Sequence, residues 1–224
     1  MTTMEQRRAA TFVVPYIVAG VVLVALSFLL GWWIFLRGDT PFVVDSAWNA
    51  FVADLWNPVF SAFSHFMDFV GGGWMGVFAV PIAGAVGLVL LRRPWSAAYF
   101  LAAEAISAAG VQVLKHVFGR VRPEDILVVS DYGSYPSGHV ANAATIAVAA
   151  VIIFPRLWVG IVGGAWVVLM AFSRTYLHAH WLSDTLGGAL IGAGAALLVA
   201  AAFAVPLARE RPAVSARGLA RLSA

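Results

Sequence analysis

"FVVPYIVAGVVLVALSFLLGWWIFL", residues 12–36, runs without a single charged side chain. A helix needs about 20 mostly apolar residues to cross a membrane, and this stretch supplies them. The remainder has the same character: 62% of the 224 residues are hydrophobic, 11% are charged, and the mean hydropathy is +0.88. A soluble domain carries about 25% charged residues. So much apolar surface exceeds what one aqueous core can hide, and the chain reads as an integral membrane protein. Arg7 and Arg8 precede the run as they would in a secretory signal. The run is too long for a signal's apolar region, however, and no small-residue cleavage site stands out, so it reads as a retained first span.

Further apolar runs follow at Gly73–Leu91, Trp95–Leu114, Gly138–Pro155, Leu157–Ser173 and Thr185–Leu207. The expected fold is therefore an all-α membrane protein with six transmembrane helices in one domain over residues 1–224. Its core covers about 12–207, and a basic, mobile tail covers about 208–224. The third run is interrupted by Glu104, for which two readings stand: an intramembrane functional carboxyl, or a neutral one bonded to a neighbouring helix. The small-residue run "GGALIGAGAALL" at 187–198 predicts close helix packing.

The net charge of +3 and the isoelectric point near 9.7 do not point to nucleic acid, because Lys115 is the only lysine and there is no basic patch. Arg92, Arg93, Arg156 and Arg209 join those near the termini on one side of the expected bundle. Cytoplasmic loops carry the Lys/Arg excess. Both termini are therefore expected in the cytoplasm of a multi-pass plasma-membrane protein, with the loops at 38–72, 115–137 and 174–184 facing outward. There is no cysteine, which excludes disulfides and thiol chemistry. The loop 38–72 is rich in Trp and Phe. It reads as one or two helices at the outer interface, either packed on the bundle or acting as a lid or entry rim for a lipid tail.

Three polar islands share that outer face. "KHVFGRVRP" (115–123) holds Lys115 and Arg122. A cationic cluster on the side where positive-inside bias disfavours it needs an anion to explain it, and Arg forks with a Lys point charge suit phosphate. "YPSGH" (135–139) puts Ser137, Gly138 and His139 where a loop enters a helix. Free N–H groups and the dipole make such a helix start an anion site. "SRTYLHAHWLSD" (173–184) adds Arg174, with His180 and Asp184 four residues apart. If a helix begins near His180, the pair shares one face, and a carboxylate on one ring nitrogen leaves the other free to attack. Taken singly, each island also reads as an anchor, a capping turn or a structural pair.

Together, in the order K-x6-RP, PSGH and SR-x5-H-x3-D, the islands resemble the type 2 phosphatidic acid phosphatase superfamily, the integral-membrane lipid phosphate phosphatases. The motif residues are Lys115, Arg122, Pro123, Pro136, Ser137, Gly138, His139, Ser173, Arg174, His180 and Asp184. The resemblance implies that His180 attacks phosphorus to form a phosphohistidine, that Asp184 orients it, and that His139 protonates the leaving oxygen and then activates water. It implies that Lys115, Arg122, Ser137, Gly138 and Arg174 bind the phosphoryl group, with no metal and no cofactor. The expected partners are a lipid phosphate or diphosphate and the surrounding membrane lipids, with no nucleic acid. An outward-facing site favours undecaprenyl diphosphate, and phosphatidylglycerophosphate and phosphatidic acid stand as alternatives. A reading of another class is an anionic-lipid binder or transporter with no nucleophile. Haloperoxidase chemistry shares such a pocket but fits poorly with six spans. Arg120, His116 and His178 flank the motifs, Asp131, Tyr132 and Tyr135 line the loop before His139 and read either as shaping the substrate mouth or as plain loop residues, and Glu124 and Asp125 are expected to pair with Arg120 or to point away.

Overall fold

The computed structural model describes residues 3–210, with side chains from residue 11 onward. All regular structure in this span is helical. The elements are α1 (Thr3–Leu36), α2 (Val43–Asp54), α3 (Pro58–Gly71), a π-helical turn (Met75–Ala79) running into α4 (Val80–Leu90), α5 (Pro94–Phe118), α6 (Gly138–Ile153), α7 (Leu157–Tyr176) and α8 (Leu182–Ala202). Four helices are long and apolar enough to cross a membrane unaided: α1 from Thr11, α5, α7 and α8. A fifth candidate is the bent pair Pro58–Gly71 plus Met75–Leu90, and α6 is a shorter apolar helix.

The second apolar run departs from the straight span expected over 73–91. Residues 75–90 pass the test only jointly with α3, which they meet at 51°. The break falls on Gly71-Gly72-Gly73. Gly73 has φ +53°, and a Cβ on Gly76 would meet the carbonyl carbon of Gly71 at 2.3 Å. Pro81 follows and lacks the N–H that would continue the α-helical ladder, which fits a π-helical turn just before it. The segment 38–72 contains two helices. Asn57 caps α3 by accepting the N–H groups of Val59 and Phe60, each at 3.0 Å, and Pro58 opens the helix.

α8 is the hub. α1, α5 and α6 all pack along it, α7 packs on α6, α3 on α7 and α4 on α5. The small residues make this possible. A Cβ at Gly188 would sit 2.4 Å from the Ser137 carbonyl oxygen, and one at Gly192 would sit 2.2 Å from that of Ala141. Both obstacles are backbone, so α6 must move if either glycine gains a side chain. Gly192→Val should therefore lower stability by about 1–3 kcal/mol, read as a lower unfolding midpoint in detergent; an unchanged midpoint would show that the helices are not in contact there.

The sixth run also differs at its end. α8 stops at Ala202, Phe203 is a turn, and residues 204–210 are helical again. Glu210 folds back to the start of α5. Its carboxylate accepts the Trp95 and Ser96 N–H groups at 2.9 and 3.2 Å, together with the Ser96 hydroxyl. An acidic group there satisfies first-turn donors of α5 and complements its dipole. Thus the beginning of the expected mobile tail, 208–210, is docked. Residues 211–224 lie outside the described residues.

Candidate active site

Each polar island is delivered by the end of a helix. Lys115 lies in the last turn of α5, which closes at Gly119 (φ +59°), whose N–H bonds to the Lys115 carbonyl at 2.9 Å. Arg122 follows on the loop. Ser137 is the N-cap of α6, so Gly138 and His139 form its first turn. α7 continues past the expected end at Ser173, which places Arg174 in its last turn. α8 begins only at Leu182, with Trp181 as N-cap. His180 therefore precedes the helix, and it does not share a helical face with Asp184.

Lys115, Arg122, Gly138, His139, Arg174 and His180 line one cavity of about 620 Å³. Its far wall is apolar, formed by Val77, Phe78, Pro81 and Ile82 of the bent element and Leu101, Ala105 and Ala108 of α5, with Glu104 among them. One Glu104 carboxylate oxygen is buried and lacks a hydrogen-bond partner. Ser137 and Asp184 are fully buried behind the wall. The Ser137 hydroxyl is buried without a partner, and its N–H bonds to the Asp184 carbonyl at 3.0 Å.

His180 is held by the backbone before it is held by a carboxylate. Its Nδ1–H donates to the Ser134 carbonyl at 2.8 Å, and Asp184 Oδ2 stands off at 3.7 Å. That bond fixes the tautomer and leaves Nε2 as a lone pair. Arg122 Nη1 lies 3.2 Å from Nε2 and 2.6 Å from the Ala179 carbonyl. Burial, together with the charges of Arg122 and Arg174, pushes the His180 imidazole down to about 3 against the pull of Asp184. The neutral form thus persists as pH falls through the ordinary histidine range near 6.5. Once the substrate's own ionisation is subtracted, kcat/KM should show no acid limb near 6.5; a limb there would mean that Nε2 binds protons in the usual range.

Asp184 is occupied elsewhere. Its Oδ1 accepts from Arg120 at 2.5 Å, and its Oδ2 accepts the Trp181 N–H at 2.9 Å and the Ser134 hydroxyl. Arg120 is wholly buried and also meets Asp45 of α2 at 2.9 Å. Of the two expectations for Glu124 and Asp125, this overturns pairing with Arg120 and leaves the other. Asp125 Oδ2 lies instead 2.8 Å from His178 Nδ1.

Two further carboxylates enter the site. Asp131 Oδ1 bridges Lys115 Nζ at 3.1 Å and Arg122 Nη2 at 2.9 Å. Burial would raise its carboxyl, but Lys115 and then Arg122 hold it below the usual range. Asp68 of α3 pairs with Arg174, and both its Oδ1 and its main-chain oxygen lie 3.1 Å from His139 Nε2. The glycine break lets α3 come this close, since a Cβ on Gly72 would fall 2.1 Å from His139 Nε2. Sequence reading missed Asp68, Asp45 and Ser134, and it placed Asp131 only at the substrate mouth. The triple glycine beside Asp68 was the one local signal.

No group of three or more His, Asp or Glu side chains among the described residues has the arrangement of a metal site. A family model for the PAP2 superfamily matches residues 96–206, the stretch that carries all three islands. The chain belongs to the PAP2 superfamily. Among its PAP2 relatives, phosphatidylglycerophosphatase B of Bacillus subtilis (strain 168) is 33% identical over 123 residues, 50% of this chain and 60% of that protein. An undecaprenyl-diphosphatase of Sulfolobus acidocaldarius is 35% identical over 89 residues, 36% of this chain and 42% of that protein. The matched stretches thus span about half the length of these curated relatives. The crystal structure of a transmembrane PAP2 type phosphatidylglycerolphosphate phosphatase from Bacillus subtilis superposes with a TM-score of 0.69 at 25% identity, covering 80% of this chain and 93% of that one. The PAP2 fold therefore extends beyond the stretch matched by the family model to most of the chain.

Proposed function

We infer that the protein is a membrane-embedded lipid phosphatase that hydrolyses a lipid phosphate or diphosphate through a phosphohistidine intermediate, with undecaprenyl diphosphate as its preferred substrate. The observation that carries this reading is the His180 Nε2 lone pair beside Arg122, on a cavity wall shared with Lys115, Arg174 and His139. His180 attacks phosphorus. The Ser134 carbonyl and Asp184 offset the charge that develops on its ring. Lys115, Arg122 and Arg174 bind the phosphoryl oxygens, aided by the first-turn N–H groups of α6 at Gly138, with Ser137 at the N-cap behind the wall. His139 protonates the departing oxygen and then takes a proton from the attacking water. Phosphoryl transfer depends mainly on positioning and charge stabilisation, which this set of groups supplies.

In this reading the apolar wall between α4 and α5 receives the lipid tail. The chain spans the plasma membrane six times, counting α6 and the bent pair, with both termini cytoplasmic and the site facing outward. The arginine distribution supports that orientation, and an outward site meets undecaprenyl diphosphate where cell-wall polymerisation releases it. Phosphatidylglycerophosphate is the second reading, favoured by the name of the Bacillus relative, with phosphatidic acid beside it. Phosphate release in detergent with EDTA, measured in parallel on these three lipids, tests the proposal and ranks the substrates. Binding of all three without release would leave an anionic-lipid binder.

A further inference from the structure

The functional reading gives no role to Asp45, which lies 135 residues before His180 in the chain and is completely buried. A buried carboxylate is retained only when it is paired and hydrogen-bonded, and Asp45 is saturated. Its Oδ2 accepts from Arg120 Nη2 at 2.9 Å, from the Ser183 hydroxyl at 2.7 Å and from the Phe42 N–H at 3.2 Å. Its Oδ1 accepts the Ser183 N–H at 2.8 Å, in the first turn of α8. Arg120 in turn reaches Asp184 Oδ1 and the Ser183 hydroxyl with Nη1. The result is a closed ring of Asp45, Arg120, Asp184 and Ser183 joining α2, the loop after α5 and the start of α8.

We propose that Asp45 is a positioning residue for the nucleophile, acting on His180 through Arg120 and Asp184. Without Asp45, the one guanidinium in the ring would be neutralised by Asp184 alone. The negative charge that Asp184 presents toward His180 Nδ1 would be spent on Arg120, and the carboxylate would be drawn away from the ring nitrogen. With Asp45 in place, the ring of two carboxylates and one guanidinium keeps a net negative charge beside the imidazole, where positive charge develops as Nε2 bonds to phosphorus. The same ring anchors α2. That helix is also pinned by Trp48, whose Nε1 donates to Thr175 Oγ1 at 2.9 Å, while Val43, Val44 and Phe51 are exposed. The docking of an outer helix is thereby tied to the electrostatics of the nucleophile.

This inference rests on the phosphohistidine reading, and the test separates the two. Full-length protein in detergent is given dioctanoyl phosphatidic acid labelled with ³²P, and phosphoenzyme formation in a single turnover is followed for wild type, His180→Ala and Asp45→Asn. Orthovanadate inhibition is measured alongside as a probe of the anion pocket. Asp45→Asn keeps the shape and the acceptor for Ser183 N–H but removes the charge. Phosphoenzyme formation should slow by roughly 10- to 100-fold, as for loss of one electrostatic contributor, while the vanadate inhibition constant stays within about threefold. Formation at the wild-type rate overturns the proposal. Parallel loss of vanadate binding also overturns it, since that marks general collapse of the site. Should Asp45→Asn not purify as folded protein, Ser183→Ala takes its place, because it removes the hydroxyl that links Arg120 to Asp45 and leaves every charge. A loss of about 3- to 10-fold in the same step is then expected for the two hydrogen bonds the hydroxyl makes, and no loss overturns the proposal. Absence of labelled enzyme in wild type would sink the phosphohistidine reading first, and this one with it.

Discussion

His180→Ala should abolish phosphate release from every lipid tested, with a fall in kcat of about four orders of magnitude or more. The expectation follows from position. Nε2 carries the lone pair that faces the cavity, and the other ring nitrogen is committed to the Ser134 carbonyl. His139 cannot substitute, because its Nε2 is engaged by Asp68 on the other side of the pocket. Substrate binding should survive, since Lys115, Arg122 and Arg174 remain. Equilibrium binding of a labelled lipid phosphate to the variant measures this directly. Residual activity above about 1% of wild type would mean that another group attacks phosphorus.

The second large effect is on stability. Arg120→Leu leaves Asp45 and Asp184 facing each other with no cation between them, both wholly shielded from water. Removing one partner of a buried ion pair destabilises by about 3–5 kcal/mol, and here two carboxylates are stranded. In a chain of this size the unfolding midpoint should drop by roughly 10 °C or more. Arg120→Lys should be almost as damaging, because an ammonium cannot fork between two carboxylates. A thermal melt of the purified variants in detergent checks both. Surface arginines such as Arg156 serve as controls, with shifts within about ±0.5 kcal/mol expected.

The site was legible in the sequence to the extent that its residues stand out against their surroundings. Lys115, Arg122, His139, Arg174 and His180 are polar side chains in an apolar chain, and all five line one cavity. Their partners were not legible. Asp68 and Arg174 are 106 residues apart, Asp45 and Arg120 are 75 apart, and nothing local to either residue of a pair announces the other. The His180–Asp184 relation was misread for a different reason. A spacing of four suggests one helix face, but His178 adopts φ +51° and the helix starts after His180. The imidazole therefore meets the Ser134 backbone first. The bent element was misread in the same way, because hydropathy over 73–91 reports apolar content and is blind to the direction change at Gly71–Gly73.

The cations that line the cavity are not bare. Asp131 already sits between Lys115 and Arg122, and Asp68 already holds Arg174 and His139. In the proposed reaction, each arriving phosphoryl group exchanges places with an internal acid, so its net gain is the difference between two ion pairs. The same exchange runs backward after hydrolysis. The aspartates reclaim their cations and expel inorganic phosphate, which lets a pocket made strongly attractive to anions empty itself for the next turnover.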